Sequence, residues 1–139
     1  MSQENRPQDG RKRLETMLDA LNARDFEALA ELLDPAMEFR SVVGAAEGEA
    51  VYRGIDGLRK WAEEVDAVWE DWHQEVVDYR EVGESRAVAV IRATGRARGS
   101  GVPLDTCTGN VLTRRHGKGW RNEAYSDPRE ALEAVGLRE

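Results

Sequence analysis

The feature that most constrains this chain is a change in the period of its hydrophobic residues. Up to about residue 69 the apolar residues recur at every third or fourth position, and beyond about residue 72 they alternate with polar ones between glycine-containing turns. The first period is typical of helices that bury one face, and the second is typical of strands joined in hairpins. A chain of 139 residues is long enough for one hydrophobic core. The sequence therefore predicts one α+β domain.

Four helices are predicted, three before the change of period and one after the last strand. They are expected over about residues 10–23, 26–33, 55–69 and 128–135. The first carries one apolar stripe, formed by Leu14, Met17, Leu18 and Leu21. The second begins after Asp25, and the last begins after Asp127 and ends at Gly136, since Asp caps helix starts and Gly ends helices.

Strands are predicted on both sides of the third helix. AMEFRSV is the first, a short one is expected within GAAEGEAVYRG, and four more cover about residues 72–82, 86–98, 102–115 and 120–126. The turns at 83–84, 99–101 and 117–119 contain glycine, for which a positive φ costs little, so these four strands are expected to pair antiparallel.

The composition disfavours several kinds of partner. The net charge of −7 argues against nucleic acid, and the basic residues concentrated in 86–121 are expected to pair with acids on neighbouring strands. No apolar run approaches the roughly 20 residues of a membrane span. With one cysteine and two histidines, no disulfide within the chain, no metal site and no cofactor are expected. The polar residues 1–9 predict a flexible terminus of a cytoplasmic protein.

The order of the elements resembles a known superfamily. The segments ARDFEALAELLDP and SDPREALEAVGL are similar to those of the nuclear transport factor 2-like superfamily and, within it, of the SnoaL-like group. This resemblance implies one domain over residues 10–139, in which a cone-shaped, curved antiparallel sheet wraps around the N-terminal helices, with a pocket inside and a short C-terminal helix. The superfamily includes isomerases, cyclases, epoxide hydrolases and binding domains, so it names no reaction.

Hairpin register predicts which side chains face the pocket. A three-residue loop at 99–101 and a turn centred on 117–118 set the pairing of three strands, because cross-strand partners share a face. One face carries small, mostly apolar side chains and is assigned to the concave side. It includes Asp105, Cys107, Trp120 and Asn122. The other face mixes arginines with valine, leucine and tyrosine. It is expected to join two copies in a homodimer, as the resemblance also implies.

Candidate site residues follow from this assignment. Asp105 is the one acid on the concave face, so it is the leading candidate for a catalytic acid/base, with a pKa raised by apolar surroundings. It is equally explained as a solvated residue at a strand end. Asn122 is the second catalytic candidate, placed to orient a carbonyl or a water. The ligand-binding candidates are Tyr52, Trp61, Trp69, Cys107 and Trp120.

Two classes of function stay open. One is a protein that binds a small apolar or aromatic molecule, and the other is a metal-independent isomerase, cyclase or hydrolase-type enzyme that uses Asp105. The resemblance implies an acid and a histidine in polyketide cyclases where this chain has Ala124 and Asn122. This chain therefore lacks the acid/base pair of those cyclases. Glu38 and His73 are the alternatives if the two sheet faces are exchanged.

Trp69, Trp72 and His73 cluster where the third helix meets the next strand. If that strand begins at Trp72, alternation places Trp72 and His73 on opposite faces. The two side chains are therefore not expected to enter the pocket together.

Overall fold

The computed structural model describes residues 7–41 and 50–137. In chain order, the elements are α1 (Pro7–Asn22), α2 (Phe26–Leu32), β1 (Leu33–Ser41), β2 (Ala50–Arg53), α3 (Gly54–Val68), β3 (Trp69–Val82), β4 (Arg86–Ala97), β5 (Pro103–Arg115), β6 (Lys118–Tyr125) and α4 (Pro128–Ala134). The predicted α+β class and the short C-terminal helix are confirmed. Most of the predicted flexible terminus and of the predicted loop before β2 lies outside the described residues.

The six strands form one curved, open sheet in the order β2-β1-β6-β5-β4-β3. The four strands from β3 to β6 pair antiparallel, as their glycine turns predict. The strand β1 instead pairs parallel with β6, so the sheet is mixed and not wholly antiparallel. A parallel pair requires a long crossover, and here the chain from β2 to β5 supplies it. This pairing brings the start of β1 beside the β5–β6 hairpin.

Two short helices begin where the sequence provides caps. The carboxylate of Asp25 accepts a hydrogen bond of 3.1 Å from the Ala28 amide at the start of α2. The carboxylate of Asp127 accepts one of 2.9 Å from the Arg129 amide at the start of α4. Each cap satisfies an amide that the first helical turn leaves unpaired, which stabilises a helix by about 1 kcal/mol. Both predicted helix starts are confirmed.

The main core lies between the concave face of the sheet and the helices α1 to α3. Its aromatic centre is Trp61, whose ring meets Phe39 edge-on at 5.8 Å and Trp72 at 6.0 Å between centroids. Trp72 is thus a core residue, whereas the adjacent His73 is exposed on the other face of β3. The predicted division of these two side chains between opposite faces is confirmed.

The helix α1 is held against β3 near both of its ends. At one end the Asn22 side chain donates to the Gln74 carbonyl at 2.9 Å and accepts from the Gln74 amide at 3.0 Å. At the other end Gly10 packs so closely that an added Cβ would clash with the hydroxyl of Tyr79 and the carboxylate of Glu81. These contacts fix the position of α1 over the concave face.

The predicted register between β4 and β5 is wrong by one residue. Thr94 pairs with Asp105 because the loop between these strands has four residues, closed by the Ala97 amide donating to the Val102 carbonyl at 2.8 Å. A second one-residue shift lies between β5 and β6, where the pairing slips after Thr113. A one-residue slip exchanges the faces of a strand. The two shifts therefore reverse β5 alone, and β4 and β6 keep their predicted faces.

The reversal changes which residues of β5 face the helices. They are Leu104, Thr106, Thr108, Asn110 and Leu112, in place of the predicted set that contains Asp105 and Cys107. The opposite, outer face of β4 and β5 is partly covered by α4, where Val88 and Val111 pack against Ala131. Gly109 lies directly beneath that helix, since a Cβ there would be 2.6 Å from the Cα of Pro128.

Candidate functional site

A cavity of about 380 Å³ lies between α1 and the concave face of the sheet. The apolar stripe of α1 forms one side, and α2, the first turns of α3 and strands β1, β3, β4, β5 and β6 form the rest. Its apolar wall includes Leu14, Leu18, Met37, Leu58, Trp61 and Ile91. A volume of this size is within the range of pockets that bind small molecules, about 300–1,000 Å³.

Polar side chains in the wall are mostly engaged with each other. The Asn110 amide donates to the Thr108 hydroxyl at 3.1 Å and to its carbonyl at 3.3 Å, and both residues are buried. The Trp61 indole nitrogen donates to the hydroxyl of buried Ser41 at 3.0 Å. These bonds fix the orientation of groups that would otherwise rotate.

Two other polar groups in the wall are not satisfied. The side-chain carbonyl oxygens of Gln74 and Asn122 are buried and have no hydrogen-bond partner among the described residues. Both residues line the cavity. An unpaired buried acceptor costs about 1–3 kcal/mol of stability. A molecule in the cavity that donates hydrogen bonds to these two amides would remove this cost.

A cluster of three polar residues lies where β3 and β5 approach the start of α1. The Tyr79 hydroxyl donates to the Glu81 carboxylate at 2.6 Å, and the Arg114 guanidinium donates to both, at 3.2 Å and 3.1 Å. Burial and the hydrogen bond to Glu81 raise the pKa of Tyr79 to about 12. The phenol is therefore protonated at neutral pH. Tyr79 and Arg114 line the cavity.

Three of the predicted site residues line the cavity, namely Trp61, Trp120 and Asn122. Trp120 is held by cations, since the guanidinium carbons of Arg115 and Arg121 lie 4.5 Å and 4.4 Å from its ring centroid. Such contacts are favourable because the face of an aromatic ring carries negative charge. The roles predicted for these three residues stay predictions.

Tyr52, Trp69 and Cys107 are not among the cavity-lining residues. Tyr52 stacks on Phe39 at 5.0 Å between centroids, and its hydroxyl donates to Glu64 of α3. Burial, followed by this hydrogen bond, raises the pKa of Tyr52 to about 12. Trp69 packs against the edge of the main core. Cys107 pairs across the strands with Arg92 and shares the outer face with it.

The predicted placement of Asp105 is wrong. Its carboxylate lies on the outer face, 57% exposed, and receives two hydrogen bonds of 2.7 and 2.8 Å from Arg92. The hydrogen bonds from Arg92 hold the pKa of Asp105 below its ordinary value, the opposite of the predicted rise. The shift in strand register accounts for both errors. Asp105 is therefore not a group of the cavity.

The alternative acid/base residues also lie away from the buried part of the cavity. Glu38 is at its rim, where its carboxylate is 3.4 Å from Arg53 and 3.6 Å from Arg121. His73 is exposed on the outer face, opposite Thr94.

Sequence reasoning missed Gln74, Thr108 and Asn110 as cavity residues. The last two belong to the strand whose faces were exchanged, so the register error hid them. The position of Gln74 was available from the alternation that places it on the same face as Trp72. In the described ranges, no three potential metal ligands lie together, and no helix is long and apolar enough to cross a membrane.

The geometry is that of a cone-shaped α+β domain in which a curved sheet and three helices enclose a pocket. The sequence of residues 14–122 matches the SnoaL-like domain family, which is most of the chain. The chain therefore belongs to this family, in the nuclear transport factor 2-like superfamily, and the resemblance stated from the sequence is confirmed. No curated protein sequence gives a significant match.

Solved structures share the fold at low sequence identity. A protein of ketosteroid isomerase-like fold from Catenulispora acidiphila, in complex with trimethylamine, is 18% identical with a TM-score of 0.70, covering 90% of this chain and 92% of the other. TerC, co-crystallised with polyporic acid, is 18% identical with a TM-score of 0.69, covering 89% and 95%. TsrD from Streptomyces laurentii is 21% identical with a TM-score of 0.69, covering 98% of both chains.

Proposed function

We propose that this protein binds a small, mostly apolar molecule in the cavity and that the molecule donates hydrogen bonds to Gln74 and Asn122. The observation that carries the proposal is the pair of buried, unpartnered amide oxygens in a largely apolar wall. A ligand that donates to both oxygens removes the cost of leaving them unpaired. The complexes of the fold neighbours with trimethylamine and polyporic acid support a pocket of this kind.

Binding of N-phenyl-1-naphthylamine tests the proposal. This probe has two aromatic parts and one N–H donor, and its fluorescence rises in apolar surroundings. We expect saturable binding to the wild type and loss of binding in Ala124→Leu, because Ala124 lines the cavity and the larger side chain fills it. Ala36→Leu is the control, since Ala36 is exposed and does not line the cavity. Equal binding to the two variants would refute the proposed site.

A second candidate function is an enzyme of isomerase, cyclase or hydrolase type. The observation that favours it is the cluster of Tyr79, Glu81 and Arg114, in which Tyr79 and Arg114 line the cavity, since a fixed hydroxyl and guanidinium can orient a bound substrate and stabilise negative charge that develops on it. Asp105 is not part of this proposed enzyme site. Mass spectrometry of a small-molecule cell extract before and after incubation with the protein tests it. An enzyme converts a compound in the extract and Tyr79→Phe does not, whereas a binding protein leaves every compound unchanged.

We also propose that two copies associate through the part of the outer face that α4 leaves open. That part contains Val77, which is 48% exposed, and the ion pairs of Arg92 with Glu75 and Asp105. Light scattering at micromolar concentration tests the association, with Val77→Glu expected to give a monomer. A monomeric mass for the wild type would refute it.

The cytoplasmic location and the lack of a nucleic-acid partner stay predictions from composition.

A further inference from the structure

The two unpartnered amide oxygens of the cavity wall lie on strands that are not neighbours. Gln74 belongs to β3, at the edge of the sheet, and Asn122 belongs to β6, with β4 and β5 between them. Both oxygens are buried and have no hydrogen-bond partner among the described residues. Whether one donor group of a ligand can reach both oxygens depends on where the two residues lie along their strands.

The pairing of the strands places the two residues in different rows of the sheet. The row of Asn122 consists of residues that pair in the order Asn122, Leu112, Ala87 and Glu81. The row of Gln74 crosses β4 at Ala93. Ala87 and Ala93 are six residues apart, which is about 20 Å at the usual rise of a strand. Gln74 and Asn122 are therefore separated along the strands as well as across the sheet.

The helix α1 gives a second measure of this separation. Its last residue, Asn22, bonds to the backbone of Gln74, and Gly10 near its start packs against Glu81, which is in the row of Asn122. The rise of the helix from Gly10 to Asn22 is about 18 Å. Residues of α1 line the cavity from Gly10 to Leu21. The helix and the sheet thus agree that Gln74 and Asn122 are near opposite ends of the cavity.

The two side chains are too short to close this gap. The amide oxygen is four bonds from Cα in Gln74 and three bonds in Asn122. At about 1.2–1.5 Å per bond, the two side chains together shorten the gap by about 9 Å at most, so about 10 Å remains between the oxygens. A hydrogen bond joins atoms about 3 Å apart. One hydroxyl or amine therefore cannot donate to both oxygens.

The wall between the two ends is apolar or already bonded. Leu14, Leu18 and Ile91 line the middle of the cavity. Thr108 and Asn110 occupy the middle rows of β5, and the Asn110 amide donates to the Thr108 hydroxyl. Among the described residues, a ligand in the cavity thus meets unpartnered buried acceptors at its two ends and an apolar or satisfied wall between them.

We propose that the ligand is an elongated molecule with an apolar middle and a hydrogen-bond donor, a hydroxyl or an amine, at each end, one for Gln74 and the other for Asn122. This inference rests on the proposed binding function and names the class of its ligand. A compact ligand, or one with a single donor, would leave one of the two buried oxygens unpaired, which costs binding free energy.

Two isomers of one compound test it. The hydroxyls of 4,4′-dihydroxystilbene lie at opposite ends of a rigid rod, whereas those of 3,4-dihydroxystilbene lie on one ring. The skeleton, the formula and the number of donors are otherwise the same. We expect the wild type to bind the 4,4′ isomer about fivefold more tightly, which is the size of one net hydrogen bond. Isothermal titration calorimetry measures both Kd values.

The variants Gln74→Leu and Asn122→Leu locate the two donors. Each removes one acceptor, so the ratio of the two Kd values is expected to fall from about five to about one in either variant. The ratio is taken within each variant, so that a general change in affinity cancels. Glu75→Leu is the matched control and should keep the wild-type ratio, because Glu75 is next to Gln74 but exposed on the outer face, where it pairs with Arg92.

The results separate this inference from the proposed function. If the wild type binds neither isomer and does not bind N-phenyl-1-naphthylamine, the cavity is not the proposed site and both proposals fail. If it binds the dye but does not prefer the 4,4′ isomer, the cavity site stands and the two-ended class is wrong. A preference that persists in either Leu variant of the cavity, or that Glu75→Leu also abolishes, would overturn the class too, since the donors would then not be bound by Gln74 and Asn122.

Discussion

The carboxylate of Asp34 and the guanidinium of Arg115 form two hydrogen bonds of 3.1 Å that join the start of β1 to the end of β5. Asp34 is buried, and it also accepts a hydrogen bond from the Ala36 amide. The bonds from Arg115, followed by that from Ala36, hold the pKa of Asp34 below its ordinary value. This pair connects two elements that border the cavity.

We expect the pair to give the protein an acid-dependent part of its stability. Because the folded pKa is lowered, the contribution is complete above the ordinary carboxyl pKa and is lost as the pH falls through the lower folded pKa. Arg115→Gln removes the main cause of the shift, so the free energy of unfolding should be lower at neutral pH and should depend less on pH in the acid range. Urea unfolding at a series of pH values measures this.

The control for that experiment is Arg86→Gln, since Arg86 is exposed at the start of β4. It should keep the wild-type pH dependence. An Arg115→Gln protein with the wild-type slope in acid would show that Asp34 does not depend on this partner.

The two asparagines of the cavity wall should respond in opposite directions to the same substitution. Asn122→Leu removes an unpaired buried oxygen and is expected to raise the free energy of unfolding by about 1 kcal/mol, while weakening the binding of N-phenyl-1-naphthylamine. Asn110→Leu breaks bonds to Thr108 and should lower the free energy of unfolding by about 1–2 kcal/mol. Denaturant unfolding and dye titration measure both effects. Equal destabilisation by the two substitutions would contradict the assignment of Asn122 to the ligand.

Gly109→Ala should loosen α4 from the sheet. The new Cβ would lie 2.6 Å from the Cα of Pro128 and 2.8 Å from the Cβ of Ala131, and the first of these atoms belongs to the backbone. Overpacking of this kind costs about 1–3 kcal/mol. Urea unfolding should show the loss, and amide exchange should show it first in α4. Dye binding should persist, since Gly109 does not line the cavity. Wild-type exchange rates in α4 would contradict the prediction.

Asp105→Asn should have no effect on the cavity. The substitution removes a charge from an exposed ion pair with Arg92 on the outer face, and such pairs contribute little to stability. We expect the Kd of N-phenyl-1-naphthylamine to match the wild type within error. A change in this Kd would show that the outer face is coupled to the pocket.

Much of the fold could be predicted because period, caps and glycine turns are local signals. Asp25 and Asp127 mark helix starts, and the alternation at Trp72 and His73 gives the faces of β3 correctly. The site could not be predicted to the same extent, because the register of β5 depends on whether one residue belongs to a loop. That single residue decides whether Asp105 or Asn110 enters the cavity, and nothing local in the sequence distinguishes the two loop lengths.

The parallel pairing of β1 with β6 has a consequence for folding kinetics. Leu33 pairs with Gly119, across 86 positions of sequence, whereas the hairpins from β3 to β6 close over short turns. Closing a long loop costs more entropy and slows folding. We therefore expect the hairpins to form first and the β1–β6 wall of the cavity to close last, with low φ-values at Phe39 and higher ones at Ile91. The pocket is then the last part of the molecule to form during folding.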